Sequence, residues 1–198
     1  MHQRPFAPGP VRARHPWVAA VAAAGVLALG CLPACGSVQR PDGGEGLLPV
    51  GASAPDLVGE TQAGERVRLS SRLGRSVVVY FYPMDATPGC TTEACAFRDA
   101  FDRYTEHGVT IFGVSQDSAE SHREFSSHQK LPFPLVADED GSVTRAYGVP
   151  SRLGLSARVT FLVSPEGRIA RVWPDVDPGV HASEVLAAVA QLAPAGAK

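Results

Sequence analysis

A thiol, a hydroxyl, a glycine and two prolines fall within one short stretch of this 198-residue sequence: Pro83, Thr87, Pro88, Gly89 and Cys90. Thr87 followed by Pro88 reads as a helix N-cap with proline at the first helical position. Cys90 is then third in the helix, inside its first turn. Backbone N–H groups there lack intrahelical partners and carry roughly half a unit of positive charge. Such a position stabilises a thiolate, the nucleophilic form of sulfur. Gly89 leaves backbone N–H groups open to a small ligand, and Thr87 offers a hydroxyl near the sulfur. An inert, buried cysteine is the plainer alternative. The meeting of cap, proline, glycine and thiol in one turn argues against it.

Pro83-x-x-x-Thr87-x-x-Cys90 resembles the active-site signature of the peroxiredoxins. The wider string from Phe81 to Asp99 resembles their bacterioferritin-comigratory, or peroxiredoxin Q, branch, which carries a second cysteine five residues on; Cys95 stands there. The resemblance runs from about Leu47 to Leu192. It implies a thioredoxin-like fold and thiol-dependent reduction of hydrogen peroxide and alkyl hydroperoxides. It implies Cys90 as the peroxidatic cysteine and Cys95 as the resolving one. Thr87 and Arg158 orient the peroxide by the same token, with Pro83 and Gly89 at substrate-binding positions. The implied partner is a thioredoxin-like dithiol reductant, and no metal or other cofactor is expected. Met84 departs from the pattern, since many relatives carry lysine there.

The spacing of the two cysteines sets a mechanical condition. Residues five apart in a continuous helix have Cα atoms about 8.6 Å apart and point about 140° apart. A disulfide needs roughly 4.4–6.8 Å. Oxidation to a disulfide must therefore unwind the start of the helix. A purely structural disulfide is the competing reading in an exported protein, but so short a loop closes little chain entropy.

Arg158 sits in Ala157-Arg158-Val159-Thr160-Phe161. Strand alternation gives it the face of Thr160 and Leu162, among apolar neighbours, where a guanidinium needs a partner. The Cys90 thiolate is a suitable one. Asp85, Glu93 and Arg98 flank the site. A helix-start carboxylate interacting with the dipole accounts for Glu93 as well as a hydrogen bond in the site loop does. His107, His122, His128 and His181 are scattered and read as solvated surface residues.

The elements that must position these groups alternate. Val77 to Tyr82 is a continuous apolar and aromatic run, typical of an interior strand, and Pro83 ends it. A helix is predicted from Thr87 to about His107, with Phe97, Phe101 and Tyr104 facing the core and Gly108 as its stop. Strands are predicted at 109–114 and 133–137, with a surface helix over about 119–130 between them. A short helix follows at Ser142 to Tyr147. Arg158–Val163 and Arg168–Trp173 read as a hairpin, and a last helix runs from Glu184 or His181 to Leu192. An edge strand is expected after Ala54-Pro55-Asp56-Leu57, with a turn at Gln62 to Glu65. The order gives the fold class α/β, a thioredoxin-like sandwich whose central mixed sheet is flanked by helices.

The ends read differently. Residues 1–35 hold Arg4, Arg12 and Arg14, no acidic residue, and an apolar run from Trp17 to Leu32. That is an export signal too short for a comfortable membrane span. Leu32-Pro33-Ala34-Cys35-Gly36-Ser37 resembles a bacterial lipobox, with Cys35 the lipidated residue and Cys31 a weaker candidate. Residues 36–46 read as a flexible tether and 47–198 as one domain. The expected product is exported and membrane-anchored, outside the cytoplasm. Losing the three arginines takes the formal charge from −2 to −5. No clustered basic patch points to nucleic acid, and a monomer is expected. The alternative function is a membrane-tethered copper-binding chaperone on the same fold, using two thiolates and a histidine.

Overall fold

The computed structural model describes residues 38–192. The chain runs through β1 (Val58–Thr61), β2 (Arg66–Arg68), a one-turn 3-10 helix (Leu69–Arg72), β3 (Val77–Phe81), α1 (Pro88–Asp99) and α2 (Phe101–Glu106). It continues with β4 (Thr110–Ser115), α3 (Ala119–Gln129), β5 (Leu135–Ala137) and α4 (Ser142–Ala146). Two short strands, β6 (Ser151–Arg152) and β7 (Leu155–Ser156), precede β8 (Val159–Val163), β9 (Ile169–Trp173) and α5 (His181–Val189).

Seven strands form one sheet in the order β2-β1-β5-β4-β3-β8-β9. β3, β4 and β5 are mutually parallel neighbours, and the remaining pairs are antiparallel. All five residues of β3 are buried, as an apolar run without alternation requires of a strand covered on both faces. Its side chains feed two cores. Val78, Tyr80 and Tyr82 pack with Phe97 of α1, Phe125 of α3 and Leu186 of α5, while Val77, Val79 and Phe81 pack with Val143, Tyr147 and Phe161. The mixed sheet between helices matches the expected thioredoxin-like class.

Tyr80 is the hinge pin of the first core. Its ring stacks on Phe97 at 4.8 Å and meets Phe133 edge-on at 6.1 Å. Gly113 of β4 makes room for it: a Cβ there would lie 2.7 Å from the Tyr80 hydroxyl oxygen and 2.6 Å from Leu135 Cδ2.

Three expectations are corrected. β1 is not an edge strand, because β2, alternately exposed and buried, takes the outer position beside it. The third interior strand begins at Leu135 rather than Phe133. The long helix after Thr87 breaks at Ala100, whose φ of −97° and ψ of 1° separate α1 from α2. Tyr104 is then fully buried with its hydroxyl donating to the Ala182 carbonyl at 2.6 Å, and Phe101 is only partly covered. The β6–β7 hairpin had no strong sequence signal, being two residues on each side.

Residues 38–46, part of the expected tether, fold onto the domain. Arg40 donates to the carbonyls of Glu45 and Gly46 at 3.0 and 2.8 Å. Gly148, with φ of 69°, lies under the Gly46 carbonyl so closely that a Cβ would overlap it. Cys35 and the expected export signal lie outside the described residues.

Candidate active site

The site is built where β3 ends. The strand's hydrogen bonding continues one residue further, with Tyr82 N–H donating to Val114 carbonyl at 3.1 Å. Pro83, half-buried, ends it. Asp85 and Ala86 turn the chain, Ala86 at φ 56°. Thr87 is extended, Pro88 opens α1, and Cys90 occupies its third position, 2% exposed. The Thr87 carbonyl accepts the Thr91 N–H at 2.8 Å, so Thr87 is the N-cap by backbone. Its side chain is not a cap, contrary to expectation. The hydroxyl turns back and donates to the Met84 carbonyl at 3.0 Å, bracing the loop.

Arg158, immediately before β8, lies on the α1 face as strand alternation predicts. Its Nη2 donates to Cys90 Sγ at 3.2 Å, and its Nη1 donates to Glu93 Oε2. The guanidinium fork thus spans one turn of α1, from the thiol to the carboxylate. Gly89 lets it approach: a Cβ there would stand 3.3 Å from Arg158 Nη2 and 3.8 Å from Pro178 Cγ.

The electrostatics divide unevenly between the paired groups. Glu93 is fully buried, and its Oε1 has no partner. Burial pushes its pKa up to about 7, against the opposing pull of Arg158. At Arg158 the balance reverses. Burial acts to lower its pKa, but Glu93 and Cys90 outweigh this and hold it above the ordinary value. Arg158 is less buried and has two electron-rich neighbours, which explains the difference. His181, fully buried at the start of α5, bonds through Nε2 to the Thr160 hydroxyl at 2.8 Å. Burial, reinforced by the Arg158 charge, pushes it down to about 4, so it is a neutral ring. Tyr80 is raised well above its ordinary value by burial and then by Glu93.

Cys95 lies on the same unbroken helix, partly exposed, with both thiols free. Its Sγ faces Gln129 Oε1 at 3.4 Å, and Arg98 Nη1 donates to the Gln129 carbonyl at 2.7 Å. The C-terminal end of α3 therefore holds the Cys95 half of α1. The structure brings Cys90, Arg158 and Gly89 together, with Thr87 in the adjoining turn, and keeps Cys95 apart by the helix itself.

Two histidines read as solvated are buried. His122 is wholly inaccessible and bonds through Nδ1 to Asp85 Oδ2 at 2.8 Å. The signal was present in the sequence: His122, Phe125 and Ser126 fall at i, i+3 and i+4, the inward stripe of α3. His107 and His128 are exposed as expected. Glu93 was also undervalued, because its register opposite Arg158 depends on how β8 and α1 meet.

Among the described residues, Asp85, Asp117 and His122 place possible ligand atoms within 4.8 Å of one another. Those atoms are already engaged. Asp85 Oδ2 accepts from Ser121 and His122, and Asp117 Oδ2 accepts from Ser115 and the Asp85 N–H. These bonds join the three side chains into one hydrogen-bond network. At Cys90 the position a soft metal would take is filled by a cation, the Arg158 guanidinium, so the copper-chaperone alternative finds no support.

Residues 50–172 match the AhpC/TSA family. The chain is 40% identical over 147 residues to peroxiredoxin Bcp of Bacillus subtilis, covering 70% of this chain and 93% of that one. It is 42% identical over 139 residues to the chloroplastic peroxiredoxin Q of Sedum lineare, covering 69% and 75%. Among solved structures, peroxiredoxin Q of Xanthomonas campestris superposes with a TM-score of 0.67 at 38% identity, covering 74% and 98%. Peroxidoxin BcpB of Mycobacterium tuberculosis superposes with a TM-score of 0.69 at 31% identity, covering 74% and 99%. A thiol held against an arginine at a helix start, on this fold and with these relatives, places the chain in the Bcp/peroxiredoxin Q branch of the AhpC/TSA family, the thiol-dependent peroxidases.

Proposed function

We propose that Cys90 is the sulfur that attacks the peroxide and that Cys95 resolves it. The observation that carries this is the contact of the Arg158 guanidinium with Cys90 Sγ at 3.2 Å, in the first turn of α1. The Cys90 thiolate attacks the terminal oxygen of the hydroperoxide. The O–O bond breaks, the sulfur becomes a sulfenic acid, and the leaving alkoxide or hydroxide takes up a proton as alcohol or water. Arg158, Thr87 and the N–H groups left open by Gly89 orient the two oxygens. The first turns of α1 then unwind, Cys95 attacks the sulfenic sulfur, and water leaves as the disulfide forms. A thioredoxin-like dithiol protein reduces the pair.

We propose that the domain acts as a monomer, which sedimentation of the purified protein tests. The arginine-rich start, the apolar run and Leu32-Pro33-Ala34-Cys35 support export and lipidation at Cys35, which would hold the domain on the outer side of a membrane and require an exported or membrane-linked reductant. Incorporation of a labelled fatty acid, lost in Cys35→Ser, tests the anchor.

The catalytic reading is tested by titrating wild type, Cys90→Ser and Cys95→Ser with hydrogen peroxide or an alkyl hydroperoxide, followed by mass spectrometry. Cys90→Ser is expected to abolish turnover. Cys95→Ser is expected to accumulate sulfenic acid at Cys90 and then over-oxidise. Full turnover without Cys90 refutes the assignment.

A further inference from the structure

The loop that delivers Cys90 is held by a buried polar network outside the sulfur chemistry. Asp85, in the turn between β3 and α1, is 7% exposed. Its carboxylate accepts from the Tyr82 hydroxyl at 2.7 Å, the Ser121 hydroxyl at 2.8 Å and His122 Nδ1 at 2.8 Å. Its own N–H donates to Asp117 at 3.0 Å. Hydrogen bonds from His122, Tyr82 and Ser121 overcome burial and keep Asp85 below the ordinary carboxylate range. The neighbouring Ala86 sits at φ 56°, in the left-handed region that an alanine disfavours. The loop is therefore a strained conformer pinned at one residue, and three of the four pins come from α3 and the turn before it. His122 Nε2 has no partner among the described residues. The ring's strong hydrogen bond is the one to Asp85, with the Tyr82 hydroxyl at 3.5 Å beyond it.

We infer that His122 is a positioning residue of the peroxidase cycle: through Asp85 it holds the loop in the wound form that presents Cys90, and so sets how readily α1 opens toward the disulfide. This rests on the reading that Cys90 and Cys95 pair. A hydrogen bond to a carboxylate shifts a local equilibrium by roughly tenfold or more. The wound form is the reduced one, so weakening the pin favours the unwound disulfide.

The test compares wild type with His122→Phe, which keeps a ring and removes the donor, and His122→Asn, which keeps a donor at similar reach. A peroxide pulse, quenched and read by mass spectrometry, times sulfenic acid formation and disulfide formation separately. His122→Phe is expected to form sulfenic acid no faster than wild type, since the wound form presents Cys90, and the disulfide about tenfold faster. The reduction potential of its cysteine pair is expected to fall by about 30 mV, the equivalent of that tenfold change. His122→Asn is expected to restore both values. If His122→Phe fails to fold, Ser121→Ala removes another donor from the same oxygen at a less buried position, and must move both readouts the same way by a smaller factor. Unmoved disulfide rate and potential, or equal slowing of both steps with no change of potential, overturns the inference. A wild type that forms no Cys90–Cys95 disulfide overturns the parent reading with it.

Discussion

Glu93 lies between the two cysteines, and replacing it by glutamine separates its charge from its shape. The carboxylate is fully buried and touches one cation. Burial raises its pKa to about 7 in the wound helix, against the ordinary 4.5 that exposure to water on opening would restore. The folded value is the raised one, so its stabilising contribution is complete below pH 4.5 and is lost as pH rises through 7. Each pKa unit corresponds to about 1.4 kcal/mol, so roughly 3 kcal/mol, or on the order of a hundredfold in the opening equilibrium, is tied to this proton. Opening of the reduced helix over residues 90–95 is thus expected to become that much more frequent between pH 4.5 and 7.5. In Glu93→Gln, uncharged throughout, the dependence is expected to vanish. Amide exchange of those residues, corrected for the intrinsic acceleration with pH, reads it directly. Parallel profiles in the two proteins refute the argument, since the proton would then have no hold on the helix.

Arg158→Ala is expected to lower the second-order rate with peroxide by one or more orders of magnitude, and Arg158→Lys to recover little of it. A single ammonium cannot reach both Cys90 and Glu93 as the fork does. Stopped-flow fluorescence checks both, and a wild-type rate in Arg158→Ala removes the arginine from the site. Gly89→Ala places a methyl 3.3 Å from Arg158 Nη2 and is expected to slow the same step several-fold without lowering the melting temperature. Thr160→Val leaves the buried His181 ring without its hydroxyl partner. That is expected to cost about 1–3 kcal/mol of stability, seen as a lower midpoint in urea, with the peroxide rate of the folded fraction largely retained.

Much of this was open to reading in one dimension. The run Val77 to Tyr82 could only be a doubly covered strand, and it is. Thr87-Pro88 fixed the helix start and with it the station of Cys90. Alternation along Val159 to Val163 put Arg158 on the correct face of the sheet even though Arg158 precedes the strand itself. The failures share a cause. The Thr87 hydroxyl chose the Met84 carbonyl over the helix amides, a choice set by the turn at Asp85 and Ala86. His122 and Asp85 are separated by 37 positions, and each is ordinary alone. Their bond exists only because α3 docks against the loop after β3, and no local pattern announces that. Tyr104, beyond the break at Ala100, likewise finds its partner only where α5 docks, at the Ala182 carbonyl.

In the cycle proposed above, Arg158 enters from the residue before β8, whereas the sulfur it touches rides on a helix that comes apart. β8 is flanked on both sides by paired strands and has every residue buried, so the backbone that leads to the cation is anchored while the thiol travels. When a reductant splits the disulfide, the returning sulfur meets a stationary post at the place it left. Each turnover then begins from the same starting geometry, because the part of the site that remembers it never moved.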